Sequence, residues 1–170
     1  MRRLMTGLGV AALFTLAAAV PAGDEEKVTL DKVPGPVLTT VKARFPGAKL
    51  TGASKEKEKD KWVYEVSLTE KGKDKNVDVT LTPEGELLTI ERALGAKALP
   101  KAVAKAIEDK YPRPTYKNAE EVIKVEKQEE KLAYYEVLLV THDKKRTMEV
   151  QVTAAGKIVA EEEKKGNDKD

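Results

Sequence analysis

The sequence predicts an α+β fold of two tandem modules, each one helix packed on a four-stranded antiparallel sheet. Three observations carry this prediction. The stretch "VDVTLTPEGELL" (77–88) reads as strand, tight turn and strand, and "MEVQVTAAGKIV" (148–159) writes the same pattern 71 positions later. Ahead of each hairpin stands a proline-started segment with apolar residues four apart, "VPGPVLTTVKARFPG" and "LPKAVAKAIEDKYPRP". Between helix and hairpin, each copy carries a strand with a period-2 apolar face, "WVYEVSL" and "YYEVLL". Self-similarity at a fixed spacing is the mark of a repeated structural unit.

In the first helix, Pro34 and Pro36 suit the start, while Pro46 and Gly47 force the end. Val37, Val41 and Phe45 form one buried stripe, which Leu38 widens. At an offset of 66, Val103, Ile107 and Tyr111 repeat that stripe, and Pro100 and Pro112 repeat the prolines. Ala102, Ala104 and Ala106 give the second helix the better propensity.

The segment "AKLTGASKEKEKDK" reads as a weakly patterned strand followed by a highly charged turn. In the next strand Trp62, Tyr64, Val66 and Leu68 share one face, and Val63, Glu65 and Ser67 share the other. Trp62 is thereby expected under the first helix. Tyr135, Val137 and Leu139 repeat the apolar face at an offset of 71, with Glu136 matching Glu65. The change of offset from 66 to 71 places about five extra residues within "RPTYKNAEEVIKVEKQEEKLA". That region is rich in helix formers, but its β-branched run "VIKV" and its place in the repeat favour a strand over Glu121 to Lys127, with a turn from Gln128 to Lys131. A short helical piece near Asn118 stays open.

In the closing hairpins Val77, Val79 and Leu81 alternate, as do Met148, Val150 and Val152. Pro83 favours a turn corner, and Gly85 and Gly156 tolerate the positive φ of a hairpin exit. The connector "RALGAKA" (92–98) keeps the modules close. Their sheets join edge to edge, or their helices pack together; the pattern does not choose.

Arg2 and Arg3, an apolar run from Leu8 to Val20, then Pro21, Ala22 and Gly23 have the layout of a secretory leader cut near Ala22. The run is shorter than the roughly 17–25 apolar residues of a spanning helix. Residues 1–22 are thus a signal peptide and 23–31 a flexible acidic lead-in. The modules occupy 32–92 and 98–162, and 163–170 form a charged tail. The product is expected to be periplasmic or secreted, touching membrane only through its leader during export. Removing the leader takes two basic residues and no acidic ones, leaving 29 of each and no net charge. General attraction to nucleic acid is therefore not implied.

Residue chemistry argues against an enzyme. The chain has no cysteine and one histidine, His142, in the turn "THDKKR". Ser54 and Ser67 are the only serines, so a nucleophile with a histidine base has little to draw on. Neither HExxH, an EF-hand loop nor a glycine-rich phosphate loop occurs. No catalytic residue, cofactor or metal ligand is assigned. The residues singled out instead are those on the strands' polar faces: Glu65 and Asp78 in the first copy, Glu136 and Glu149 in the second. Tyr134 and Leu138 alternate out of phase with Tyr135 and Val137, so they should show on the same open face.

The proline-started helix ending in "FPGA", the strand "WVYEVSL" and the hairpin "VDVTLTPEGELL" resemble the PepSY domain superfamily. The nearest part is its PepSY-like branch, grouped with β-lactamase-inhibitor-like proteins. "YYEVLL" and "MEVQVTAAGKIV" resemble a second, more diverged member. The resemblance spans roughly residues 32–162 and implies an exported module without catalysis that binds or inhibits proteins such as peptidases. It brings no catalytic or ligand residues with it. A partner among envelope or secreted proteins or peptides is the leading expectation, with Tyr134, Glu136, Leu138, Glu65, Asp78 and Glu149 as its contact surface. The alternative is a structural envelope protein or small-ligand sensor.

Overall fold

The computed structural model describes residues 25–164 apart from 59, 74 and 144. The expected leader at 1–22 lies outside the described residues, as do positions 165–170 of the tail. A two-residue strand β1 (Glu26–Lys27) precedes helix α1 (Gly35–Arg44), and strands β2 (Lys49–Glu58), β3 (Lys61–Thr69), β4 (Asn76–Leu81) and β5 (Leu87–Leu94) follow. Helix α2 (Lys101–Lys110) then leads into β6 (Thr115–Glu126), β7 (Glu129–Val140), β8 (Thr147–Val152) and β9 (Ile158–Lys164).

Every strand pairs antiparallel with the next, so the nine strands form one sheet in chain order. The helix-on-antiparallel-strands plan holds in both copies. Two separate four-stranded sheets do not form, because β5 and β6 pair from Thr89 opposite Lys124 to Leu94 opposite Ala119. Pairing satisfies backbone groups that two free edges would leave unbonded.

Alternation sorts side chains onto two faces. Val66 lies opposite Val79, and Leu68 opposite Val77. These residues, with Leu81 and Ile90, pack on Val37 and Val41 of α1, while Val103 and Ile107 of α2 pack on Val137, Leu139, Val150 and Val152. Each such fully buried side chain contributes roughly 1.5–3 kcal/mol. Ile90 is opposite Ile123 and Leu94 opposite Ala119 with no register shift between them. Ile90 belongs to the first core and Leu94 packs against the second, so both helices cover the same face.

The repeated turns are built alike. Gly85 N–H donates to the Thr82 carbonyl at 2.9 Å and Gly156 N–H to the Thr153 carbonyl at 2.8 Å. Their φ values are +88° and +82°, and a Cβ on either would meet a helix backbone oxygen, that of Pro36 at 2.7 Å or of Ala102 at 2.6 Å. The hairpin tip is thus seated on the first turn of its helix. Thr40 Oγ1 adds a hydrogen bond to the Gly85 carbonyl at 2.8 Å.

Four local expectations change. The lead-in at 23–31 contributes β1, which pairs with Ser54 and Lys55. The charged stretch after Ala53 is a continuation of β2 to Glu58. In copy two the strand begins at Thr115, is extended through Asn118 with no helical piece, and ends at Glu126. Its turn is only Lys127 and Gln128, both at positive φ, the geometry of a tight hairpin. Mixed Glu and Lys obscured these arms because exposed hairpin residues need no apolar alternation.

Gly85→Ala and Gly156→Ala are expected to destabilise by about 2 kcal/mol or more, from the left-handed backbone and the helix contact together. Gly95→Ala serves as the contrast: its φ is −74° and no atom lies within 4 Å of the added methyl. Thermal melting of the three variants checks this, with Gly95→Ala staying near wild type.

Candidate protein-contact face

The face opposite the helices is polar, and the register places its residues in cross-strand neighbourhoods. Asp78 on β4 stands directly opposite Glu91 on β5. On β6 and β7, Glu120 is opposite Glu136, and Val122 opposite Tyr134. Leu138 lies between Asn118 and Glu149, and Glu136 between Glu120 and Gln151. Glu65 on β3 faces Ser54 on one side and Thr80 on the other. All six residues selected from the sequence, Glu65, Asp78, Tyr134, Glu136, Leu138 and Glu149, therefore occur on this face. Glu91 and Glu120 join them without having been singled out.

No helix covers this face, yet Val122 is only 1% exposed. Its cross-strand neighbours on the face are Glu91 on one side and Tyr134 on the other. Burial pushes the Tyr134 hydroxyl well above the usual tyrosine range, and the charges of Glu136, Glu91 and Glu149 add to the rise.

Like charges directly opposite one another on partly dehydrated strands are unfavourable. Burial pushes Glu91 up to about 8, helped by the charges of Glu136, Glu120, Glu65 and Asp78. Burial likewise raises Glu65 to about 7, with Asp78 the largest charge contribution. Glu120 and Glu136 are raised for the same first cause, burial. Gln151 Nε2 donates to Glu136 at 3.0 Å and Asn118 Nδ2 to Glu120 at 2.9 Å, partly offsetting that rise. Toward the β9 edge Lys164 pairs with Glu149 at 3.0 Å and with Glu162 at 2.9 Å. Among the described residues no ion pair reaches Glu65, Asp78, Glu91, Glu120 or Glu136. The centre of the face is a concentration of carboxylates, held by no ion pair among the described residues, around one tyrosine.

Trp62 corrects an expectation. It shares the parity of Tyr64 but is 47% exposed, beyond the reach of α1, whereas Val63 on the opposite parity is buried. His142 sits in an exposed turn after β7. Ser54 and Ser67 are on β2 and β3, with β4 to β6 intervening in the sheet, so the geometry does not assemble them with His142. Among the described residues no group of three or more His, Cys, Asp or Glu side chains is arranged to hold a metal ion. No described helix is long and apolar enough to cross a membrane.

Residues 37–84 match the family model of the peptidase propeptide and YPEB domain, PepSY. Residues 88–160 match that of the β-lactamase-inhibitor-like, PepSY-like family. The chain is a tandem of two PepSY-type domains. Among curated proteins, none is similar to it in sequence. Solved structures share the fold. A Bacteroides eggerthii protein provisionally assigned to the periplasm is similar with a TM-score of 0.61 at 16% identity, over 77% of this chain and 88% of that one. A DUF2874 family protein from Bacteroides uniformis gives 0.59 at 16% identity, over 76% and 88%. A BLIP-like protein from Bacteroides fragilis gives 0.57 at 15% identity, over 81% and 91%. At these identities the likeness is one of fold.

The raised carboxyls of the tandem PepSY face set a pH dependence. A carboxyl whose pKa rises on folding favours the folded state when protonated. Stability should therefore grow as pH falls from about 8 through about 7, the values for Glu91 and Glu65, and this gain is complete below the ordinary 4.5. Glu161 works oppositely. Burial raises it, but hydrogen bonds from Lys110 and Tyr111 outweigh that and hold it below 4.5, so its contribution is lost as pH falls beneath that range. Melting temperature is expected to rise between about pH 9 and pH 5.5. Glu91→Gln should flatten that slope and raise the melting point near pH 9 by a few degrees, the scale of ~1 kcal/mol in a chain of this size. An unchanged slope in Glu91→Gln contradicts the assignment.

Proposed function

We propose that this protein is an exported, non-catalytic binding module that receives another envelope or secreted protein on the open face of its sheet. Inhibition of an enzyme in the same compartment is the sharper form of this reading. The observation that carries it is a nine-stranded sheet whose two helices pack on one face, leaving the other without a helix, and on that other face Tyr134 and Leu138 stand among half-buried carboxylates. Such carboxylates oppose folding at neutral pH, so stability does not account for their concentration there. A partner that supplies donors or positive charge would relieve them. Tyrosine at the centre of a polar patch is the kind of residue on which interface energy concentrates.

Export rests on the leader-like amino terminus, with cleavage near Ala22, and agrees with the provisional periplasmic assignment of the Bacteroides eggerthii protein. The BLIP-like description of the Bacteroides fragilis protein agrees with the inhibitory form.

Immobilised mature protein, exposed to the periplasmic and secreted fractions of its own cells, is expected to retain a specific protein. The double variant Tyr134→Ala, Glu136→Lys should lower that retention about tenfold or more, the loss of at least ~1.4 kcal/mol. Lys105→Glu, on the exposed side of α2, should retain it as wild type does. Equal retention by all three proteins contradicts the reading. So does the absence of any retained protein together with a small molecule that raises the melting temperature.

A further inference from the structure

The sheet carries a second recess at its margin. Strand β3 pairs with β2 from Lys61 onward, but β4 joins β3 only from Tyr64, opposite Leu81. Lys61, Trp62 and Val63 thus extend past the end of β4, and the turn after Leu81 lies alongside. Between them is a cavity of about 650 Å³, lined among others by Glu58, Trp62, Val63, Pro83, Glu84 and Glu86. This volume is in the range of sites that hold a ligand or a short segment of chain.

The lining has a definite chemistry. Glu58, Glu84 and Glu86 bring three carboxylates against one cation, Lys61. Trp62 is the only tryptophan of the chain and the most exposed large apolar side chain among the described residues. Its indole already accepts one internal cation. Lys55 Nζ lies 5.2 Å from the ring centroid and is tied to Glu26 at 2.9 Å, yet 47% of Trp62 is still open. An aromatic face beside carboxylates selects a cation on an apolar stem.

The other copy shows that the fold does not require this lining. At the offset of 71, Trp62, Pro83, Glu84 and Glu86 correspond to Ala133, Ala154, Ala155 and Lys157. The second module builds the same turn with the same threonine and glycine bonds. Trp62, Pro83, Glu84 and Glu86 are an addition to the first, whereas Glu58 has a counterpart in Glu129.

We infer that the recess beside Trp62 binds an extended segment of a partner protein carrying lysine or arginine. The cationic side chain lies against the indole between Glu84 and Glu86, and the segment runs along the edge of β3 at Lys61–Val63, where β4 leaves it uncovered. This rests on the protein-binding reading above and gives that partner a second, separate contact.

Trp62 emission reports on the recess directly. The probe is a capped five-residue peptide alternating valine with lysine and arginine, and its twin carries glutamate at the charged positions. The cationic peptide should change the emission saturably and the acidic twin should not. In E84Q/E86Q, two exposed turn positions, the dissociation constant should rise about tenfold or more. Equal responses to both peptides, or an unchanged constant in E84Q/E86Q, overturn the inference. A response abolished by E65Q/E136Q but kept in E84Q/E86Q also overturns it, and leaves the open-face reading standing. An intact Trp62 titration with partner retention indifferent to the open-face variants supports the recess and removes that reading instead.

Discussion

The ladder between β5 and β6 is the constraint on which the arrangement depends. Its six cross-strand pairs, Thr89 opposite Lys124 through Leu94 opposite Ala119, are in uninterrupted register. Because side chains alternate with a period of two, this register decides that α1 and α2 lie on one face and that Asp78, Glu91, Glu120 and Glu136 lie on the other. A slip of one residue would turn the second module over and place its carboxylates beneath α1's side of the sheet. On the helix side, Arg92 faces Glu121 across the same ladder, with an ion pair at 3.7 Å. The two apolar cores are thereby kept as separate clusters on either side of a polar seam.

Within each module the organising contact is between hairpin tip and helix start. The glycine of the turn approaches the backbone of Pro36 or Ala102 so closely that no side chain fits. The residues around that glycine are free to differ, and they do: Glu84 and Glu86 in one copy, Ala155 and Lys157 in the other. Shared backbone geometry with divergent decoration is what allows one module to carry Trp62, Glu84 and Glu86 where the other has Ala133, Ala155 and Lys157.

Much of this was legible in the sequence, and the residues show why. Prolines and four-residue spacing marked α1 and α2, and alternation assigned Tyr64, Val66 and Leu68 to the covered face. Alternation also placed Tyr134, Glu136 and Leu138 together, since face within a strand is a local property. Glu91 and Glu120 were missed because their neighbourhood exists only once β5 pairs with β6, a contact between modules that no local pattern encodes. Trp62 was misplaced for a related reason. Parity fixes which face a residue takes, but the length of α1 determines how far along β3 the cover extends. The charged arms of β2 and β6 were hidden because hairpin ends outside the core carry no apolar signature.

Site-specific photo-crosslinking tests the central claim most directly. A benzophenone amino acid placed at position 136 or 138, on the open face, should crosslink the retained partner, while the same group at position 105, on the outer side of α2, should not. Crosslinks from position 105 and none from 136 or 138 would contradict an open face that serves as the binding surface.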